Sequence, residues 1–201
     1  MDTLTTELED QGKLSEAEPL FREALKVSRE SFGDRHPDTL ASINNLGSLL
    51  RDKGDLAASE PLLREVLEGV RETFGSRYQN TLISINNLGR LLLCKGETSA
   101  AEPLLREALE GLRETLGTRH QNTLTCVSNL GLLLKEKGDL AAAEPLLREA
   151  LKMTREIALL LPDADCQGSH PETPWQSASG NAHPHQQPRP VLAGQGKPRR
   201  C

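Results

Sequence analysis

Gly12, Gly54, Gly96 and Gly138 follow one another at intervals of 42 residues, and the sequence around them repeats with them. Residues 36–77 and 78–119 share 27 of 42 positions, including SINNLG, AxEPLLRE and the closing RETxG. A third copy runs from His120 to Glu156, where Ile157 breaks the pattern. The first copy enters late, with Leu4 already in the position of Leu46. The array holds about three and a half units. A unit of this length cannot bury a core alone, so neighbouring units must stack and share one. With aromatic residues at 2% of the chain, that shared core has to be built from Leu and Ala.

Inside one unit, Leu40, Ile43, Leu46, Gly47 and Leu50 are spaced by threes and fours, the pattern of one apolar helix face. This predicts a helix A that starts near His36-Pro37 and is capped at Asp38, with Asn80 and Asn122 in the same place in later copies. It stops at Lys53-Gly54. Asp55 then caps a helix B whose apolar face is Leu56, Ser59, Leu63, Val66, Leu67 and Val70 and which closes at Phe74-Gly75. Gly47, Gly89 and Gly131 fall on the buried face of helix A, where Gly costs about 1 kcal/mol against Ala, so they imply close approach of helix B. Pro19, Pro61, Pro103 and Pro145 fall one turn into helix B and predict a kink, or a helix that begins only at Glu60.

The order Leu46-Gly47, Leu50, Gly54, Ser59, Leu63 and Val66 resembles the tetratricopeptide repeat. The longer unit, with HPDTL before helix A and EPLLREALE followed by RETLG in helix B, is similar to the repeats of kinesin light chains. The resemblance covers residues 1–156. It implies an all-α, right-handed superhelical solenoid of antiparallel helix pairs, in which the A helices line a concave peptide groove. It also implies contact with a kinesin heavy chain and a microtubule-associated location. The heptad coil that would join such a motor is not seen before Leu4, so that partner rests on the resemblance alone.

Projected at 100° per residue, helix A turns Ala41, Asn45, Ser48 and Asp52 away from the core. Asn45, Asn87 and Asn129 then form a ladder along the groove, one Asn above another. Their amides suit the N–H and C=O of an extended peptide, or else tie one repeat to the next. Asn44, Asn86 and Ser128 lie on the flank, suited to the peptide or to a bond with the backbone of an adjacent helix. Ser48, Arg90 and Leu132 occupy one repeat position, and Arg51, Arg90 and Lys135 supply the positive charge for an acidic peptide. Ile83, Leu93 and Leu132 offer apolar contact. On helix B, Glu65, Glu68, Arg71 and Glu72 are spaced for ion pairs within the helix.

Catalytic patterns are missing: His36 and His120 give way to Tyr78 in the middle copy, and no phosphate loop or nucleophile–base arrangement recurs. Residues 1–161 hold 20 Lys and Arg against 26 Asp and Glu, a balance that disfavours nucleic acid. Cys94, Cys126, Cys166 and Cys201 show no zinc spacing and read as free thiols. No membrane span or export signal is visible, which predicts a cytoplasmic protein without cofactor. Residues 162–201, rich in Pro, Gly, Ser, Gln and His, are expected to be a disordered tail after an array over 1–161. The functional expectation is a non-catalytic scaffold for a protein or peptide ligand. The rival is a regulatory or oligomerising segment of a signalling NTPase. The last helix, with Leu147, Leu151, Ile157 and Leu160 uncovered, suggests self-association through terminal repeats.

Overall fold

The computed structural model describes residues 14–160, so the expected tail, Leu4 and the partial first A helix lie outside the described residues. Seven helices follow one another: α1 Leu14–Phe32, α2 Pro37–Asp52, α3 Leu56–Phe74, α4 Gln79–Cys94, α5 Thr98–Leu116, α6 Gln121–Glu136 and α7 Leu140–Leu160. Among the described residues there is no strand. The A helices are α2, α4 and α6; the B helices are α1, α3, α5 and α7. Each helix packs on its neighbours in the chain. In addition the backbone of α4 comes close to those of α2 and α6, whereas successive B helices meet only through their side chains. The closer backbone approach of the A helices gives them a shared face, called here the inner face.

The helix ends have clear causes. His36 Nδ1 accepts from the backbone N–H of Asp38 at 3.2 Å, and His120 Nδ1 accepts from that of Asn122 at 3.1 Å. The cap is therefore the histidine, two residues earlier than the Asp38, Asn80 and Asn122 expected from the sequence. Tyr78 offers no such acceptor. It keeps a different link, stacking on Phe74 with ring centroids 4.7 Å apart, as His36 stacks on Phe32. At the other end, Gly54 N–H donates to Arg51 O and Asp55 N–H to Leu50 O, each at 2.9 Å, closing a Schellman motif. Gly54 has φ +86°, a region in which a Cβ is strained, and Gly96 and Gly138 repeat it. Asp55 Oδ1 caps α3 by accepting from Ala58 N–H at 3.1 Å.

Helix α3 begins at Leu56 and runs through Pro61 as one helix, so the late start at Glu60 is not found. Pro61 and Ala57 are both exposed. The bond lost at Pro61 is thus on the exposed side of the helix, which lowers the hydrogen-bond part of the cost of an interior proline.

Close approach of the helices is confirmed at the expected glycines. A Cβ on Gly47 would lie 2.9 Å from Leu63 Cδ2, one on Gly89 2.8 Å from Leu105 Cδ2, and one on Gly131 2.7 Å from Leu147 Cδ2. Ser59 Oγ adds a buried hydrogen bond to Gly47 O at 2.6 Å. Gly69 and Gly111 on the B helices play the reciprocal part, pressed on Leu40 and Leu82 of the paired A helix. Leu40, Ile43, Leu46, Leu50, Val66 and Val70 form one core cluster with α1, and a second continues through Leu82, Ile85, Leu105, Val127 and Leu133.

The charges of the B helices mostly join repeats rather than turns of one helix. Arg29 pairs with Glu65 at 2.7 Å, Arg71 with Glu107 at 3.3 Å and Arg113 with Glu149 at 2.9 Å. A second series links Arg35 to Glu72, Arg77 to Glu114 and Arg119 to Glu156. A third links Lys53 to Glu18, Lys95 to Glu60 and Lys137 to Glu102. Arg71 thus reaches the next unit, and Glu65 and Glu72 reach back to the preceding one, instead of along their own helix. Pairs within a helix are Glu18–Arg22, Glu60–Arg64, Glu102–Arg106 and Glu144–Arg148, which recur with the repeat, and the looser Lys26–Glu30 and Lys152–Glu156. On α7 an open apolar depression is lined by Leu140, Leu147 and Leu151, the last 72% exposed, and Ile157 is half-buried.

Candidate peptide-binding face

The inner face is built by one strip from each A helix. Asn45, Ser48, Asn87, Arg90 and Ser128 are half-buried, and Leu132 and Lys135 are exposed. Asn44, Asn86, Asn129 and Arg51 are buried, each 5–6% exposed, so Asn129 leaves the exposed side that the helical projection gives it, and the flanking Asn44 and Asn86 and the nearby Arg51 are closed to solvent. The A helices are in mutual contact, and that contact closes over one flank of each strip.

The asparagines do not stack like upon like. Asn87 Nδ2 donates to Asn44 Oδ1 at 2.9 Å, and Asn129 Nδ2 donates to Asn86 Oδ1 at 3.0 Å. The two rows of asparagine are therefore joined diagonally, side chain to side chain, across each junction between A helices. No backbone group of an adjacent helix takes part. Ser128 bonds instead to its own helix, Oγ to Leu124 O at 3.0 Å. Each amide keeps further donor or acceptor capacity after this single bond.

The end of α2 holds the densest charge on this face. Arg51 grips Asp52 with two hydrogen bonds, Nε to Oδ1 at 3.0 Å and Nη2 to Oδ2 at 3.2 Å. Arg90 Nη2 of α4 approaches the same Asp52 Oδ1 at 3.4 Å. Burial, and then the neighbouring Arg51, push the Arg90 guanidinium below its ordinary pKa, while Asp52 acts the other way. Arg51 Nη1 is buried without any acceptor. Two guanidiniums thus share one carboxylate. Forty-two residues on, Arg51, Asp52 and Arg90 become Leu93, Cys94 and Leu132. The first junction of the face is charged and the second apolar, with Leu132 44% exposed beside a buried Leu93.

Cys94 is exposed at the end of α4, whereas Cys126 is buried in the core. The Cys126 Sγ lies 3.4 Å from Leu105 O, and burial raises its pKa to about 12, so it stays a thiol. Among the described residues no group of three His, Cys, Asp or Glu could hold a metal ion, and no helix is long and apolar enough to cross a membrane.

Helical projection places Asp52 on this face but gives it no partner. Its pairing with Arg90 depends on the register between α2 and α4, which no pattern inside one helix reveals. The threonines of the motif before helix A also have a role that projection misses. Thr81 Oγ1 donates to Gly75 O at 2.7 Å and Thr123 Oγ1 to Gly117 O at 2.8 Å, latching α4 and α6 to the preceding loop, while Thr39 Oγ1 donates to Ser28 O of α1 at 3.2 Å. The recurrence of TL at the start of every copy is the signal that marks them.

Helix pairs in tandem, the Gly–Leu crossings and the shared inner face define a class, and the family models agree with it. The tetratricopeptide repeat model matches residues 8–69, 39–114 and 101–156, and the chain belongs to that family. Among solved structures, it is similar to a Podosopora anserina protein assigned as a kinesin light chain with nearly identical TPR-like repeats. That protein superposes with a TM-score of 0.58 at 22% identity, over 77% of this chain and 73% of that one. BtubC (BKLC) from P. vanneervenii superposes with a TM-score of 0.64 at 21% identity, over 84% and 67%. No curated protein sequence matches the chain.

Proposed function

We propose that the chain is a non-catalytic scaffold that holds an extended segment of a partner protein along the inner face formed by α2, α4 and α6. The observation that carries this reading is the unequal makeup of that face. Its repeat positions keep their asparagines, while the neighbouring positions change from Arg51, Asp52 and Arg90 to Leu93, Cys94 and Leu132. A surface serving only to join identical repeats has no reason to vary this way. Unsatisfied amide capacity at the half-buried Asn45 and Asn87 suits a peptide backbone, and the varying positions suit its side chains. An acidic side chain fits near Arg90 and an apolar one near Leu132.

The likeness to kinesin light chain arrays supports protein binding in the cytoplasm as the setting, with a motor heavy chain as one partner class. Selection of a displayed peptide library on the full chain tests the proposal. Selected peptides should lose affinity about 5- to 150-fold on Asn45→Ala or Arg90→Glu, the effect of about 1–3 kcal/mol. They should keep it on the outer-face control Arg106→Glu. Equal loss at Arg106 would place the ligand elsewhere.

A further inference from the structure

Arg51 and Arg90 belong to different repeats, and Asp52 is the acceptor between them. Three features make this arrangement unlike an ordinary surface ion pair. The Arg51 side chain is 4% exposed, while that of Asp52 is 42% exposed, so the cation is fixed and the anion is free to turn toward water. Arg51 and Asp52 are the last two residues of α2. A helix C-terminus favours the cation and disfavours the carboxylate, so the backbone works against Asp52 and for Arg51. Finally, one carboxylate faces two guanidiniums, and Arg51 Nη1 is buried with no acceptor. The cluster carries one net positive charge and more donors than Asp52 can occupy.

We propose that Asp52 is a built-in competitor for carboxylate ligands at the Arg51–Arg90 pair. An incoming carboxylate takes the two-pronged position on Arg51 and the contact to Arg90, and Asp52 swings out to solvent. This deepens the reading of the inner face as a peptide surface, on which it rests. It makes recognition of an acidic side chain an exchange of one carboxylate for another. Isolated or weakly placed acids then bind only weakly, at high concentration, because they only replace what Asp52 already supplies. A carboxylate held in register by the rest of a bound peptide gains over Asp52, since its ordering is shared with other contacts. The neighbouring junction, where Leu93, Cys94 and Leu132 stand in these positions, has no such competitor and no such selectivity.

Glutarate is a suitable probe, titrated into the full chain at constant ionic strength with chloride as the control and followed at the Arg51 and Arg90 Nε–Hε resonances. Asp52→Asn should bind glutarate about 1.5- to 5-fold more tightly than the wild type, the range expected when one half-exposed ion pair is removed from competition. Arg90→Ala should abolish the response. In the unaltered protein the Asp52 carboxyl carbon resonance should move as glutarate binds, a readout that does not depend on how any variant folds. Equal or weaker binding by Asp52→Asn, an unmoved Asp52 carboxyl, or the same shifts with chloride would overturn the proposal. Glutarate exchange at the arginines without peptide selection on this face would leave the competitor standing and remove the peptide reading. Peptide selection with indifference to Asp52 would do the reverse.

Discussion

Asn87 on α4 donates its side-chain amide to Asn44 on α2 at 2.9 Å, and the same bond recurs one repeat later from Asn129 to Asn86. Asn44 is buried, so its carbonyl oxygen has no ready replacement partner in water. Asn87→Ala should therefore destabilise the fold by about 1–3 kcal/mol, a drop in Tm of roughly 3 to 10 °C for a domain of this size. Asn45, for which no such bond is formed, should tolerate Ala with little change in melting. Calorimetry on the two variants separates the rung that ties repeats from the rung that is free for a ligand.

Gly89 is packed so that a Cβ would lie 2.8 Å from Leu105 Cδ2 and 2.9 Å from its Cγ. Both are core atoms with little room to retreat, since Leu105 is fully buried. Gly89→Ala gains helix propensity of about 1 kcal/mol but forces overpacking that typically costs about 1–3 kcal/mol. A net loss is expected, measured as a lower urea midpoint. The paired change Gly89→Ala with Leu105→Val should recover part of it.

Glu18, Glu60 and Glu102 all have pKa values below the ordinary carboxylate value. In each, the hydrogen bond from a lysine of the next repeat is the largest cause, followed by that from the arginine four residues on. A carboxylate whose pKa is lower folded than unfolded contributes stability that is present above the unfolded value and lost as pH falls through the folded one. Stability should thus hold steady from neutral pH to about 5 and fall below about 4.5, at the ordinary carboxylate pKa and beneath it. Glu60→Gln should flatten that fall. The Lys95 ammonium is shifted upward by the same contact with Glu60, so its share is kept at neutral pH and disappears only at strongly alkaline pH. Chemical denaturation across pH checks both limbs.

Between the two described cysteines, alkylation should discriminate sharply. Cys94 is exposed, whereas Cys126 is buried with its thiol pKa raised to about 12. Peptide mapping after brief iodoacetamide treatment should show Cys94 modified and Cys126 intact until denaturant is added. Comparable labelling of the two in the native protein would contradict the packing of α6.

The fold can be read from the sequence because each of its rules acts within one unit. Leu40, Ile43, Leu46 and Leu50 mark the A face by spacing alone, Gly54 marks the stop, and Gly47 marks the crossing. What cannot be read depends on the relation between units. Arg29–Glu65 and Asn87–Asn44 connect residues 36 and 43 positions apart, on either side of the period, because neighbouring helices are offset along their axes. A helical projection treats every copy as if it stood alone and places Asn129 on the exposed side with Asn86 on its flank. Stacking the copies buries both. The His36 cap is hidden for another reason: an imidazole nitrogen does the work usually done by the side-chain oxygen of Ser or Asp.

Where a ligand sits decides whether the inner face is a binding surface. The most direct measurement is the backbone amide shift map of the isotope-labelled chain on adding a peptide selected from a displayed library. Binding along the A helices predicts a continuous footprint on the inner strips of α2, α4 and α6, strongest near Asn45, Asn87, Arg90 and Leu132, with the outer faces of α3 and α5 silent. A footprint confined to the B helices or to the open face of α7 would contradict it.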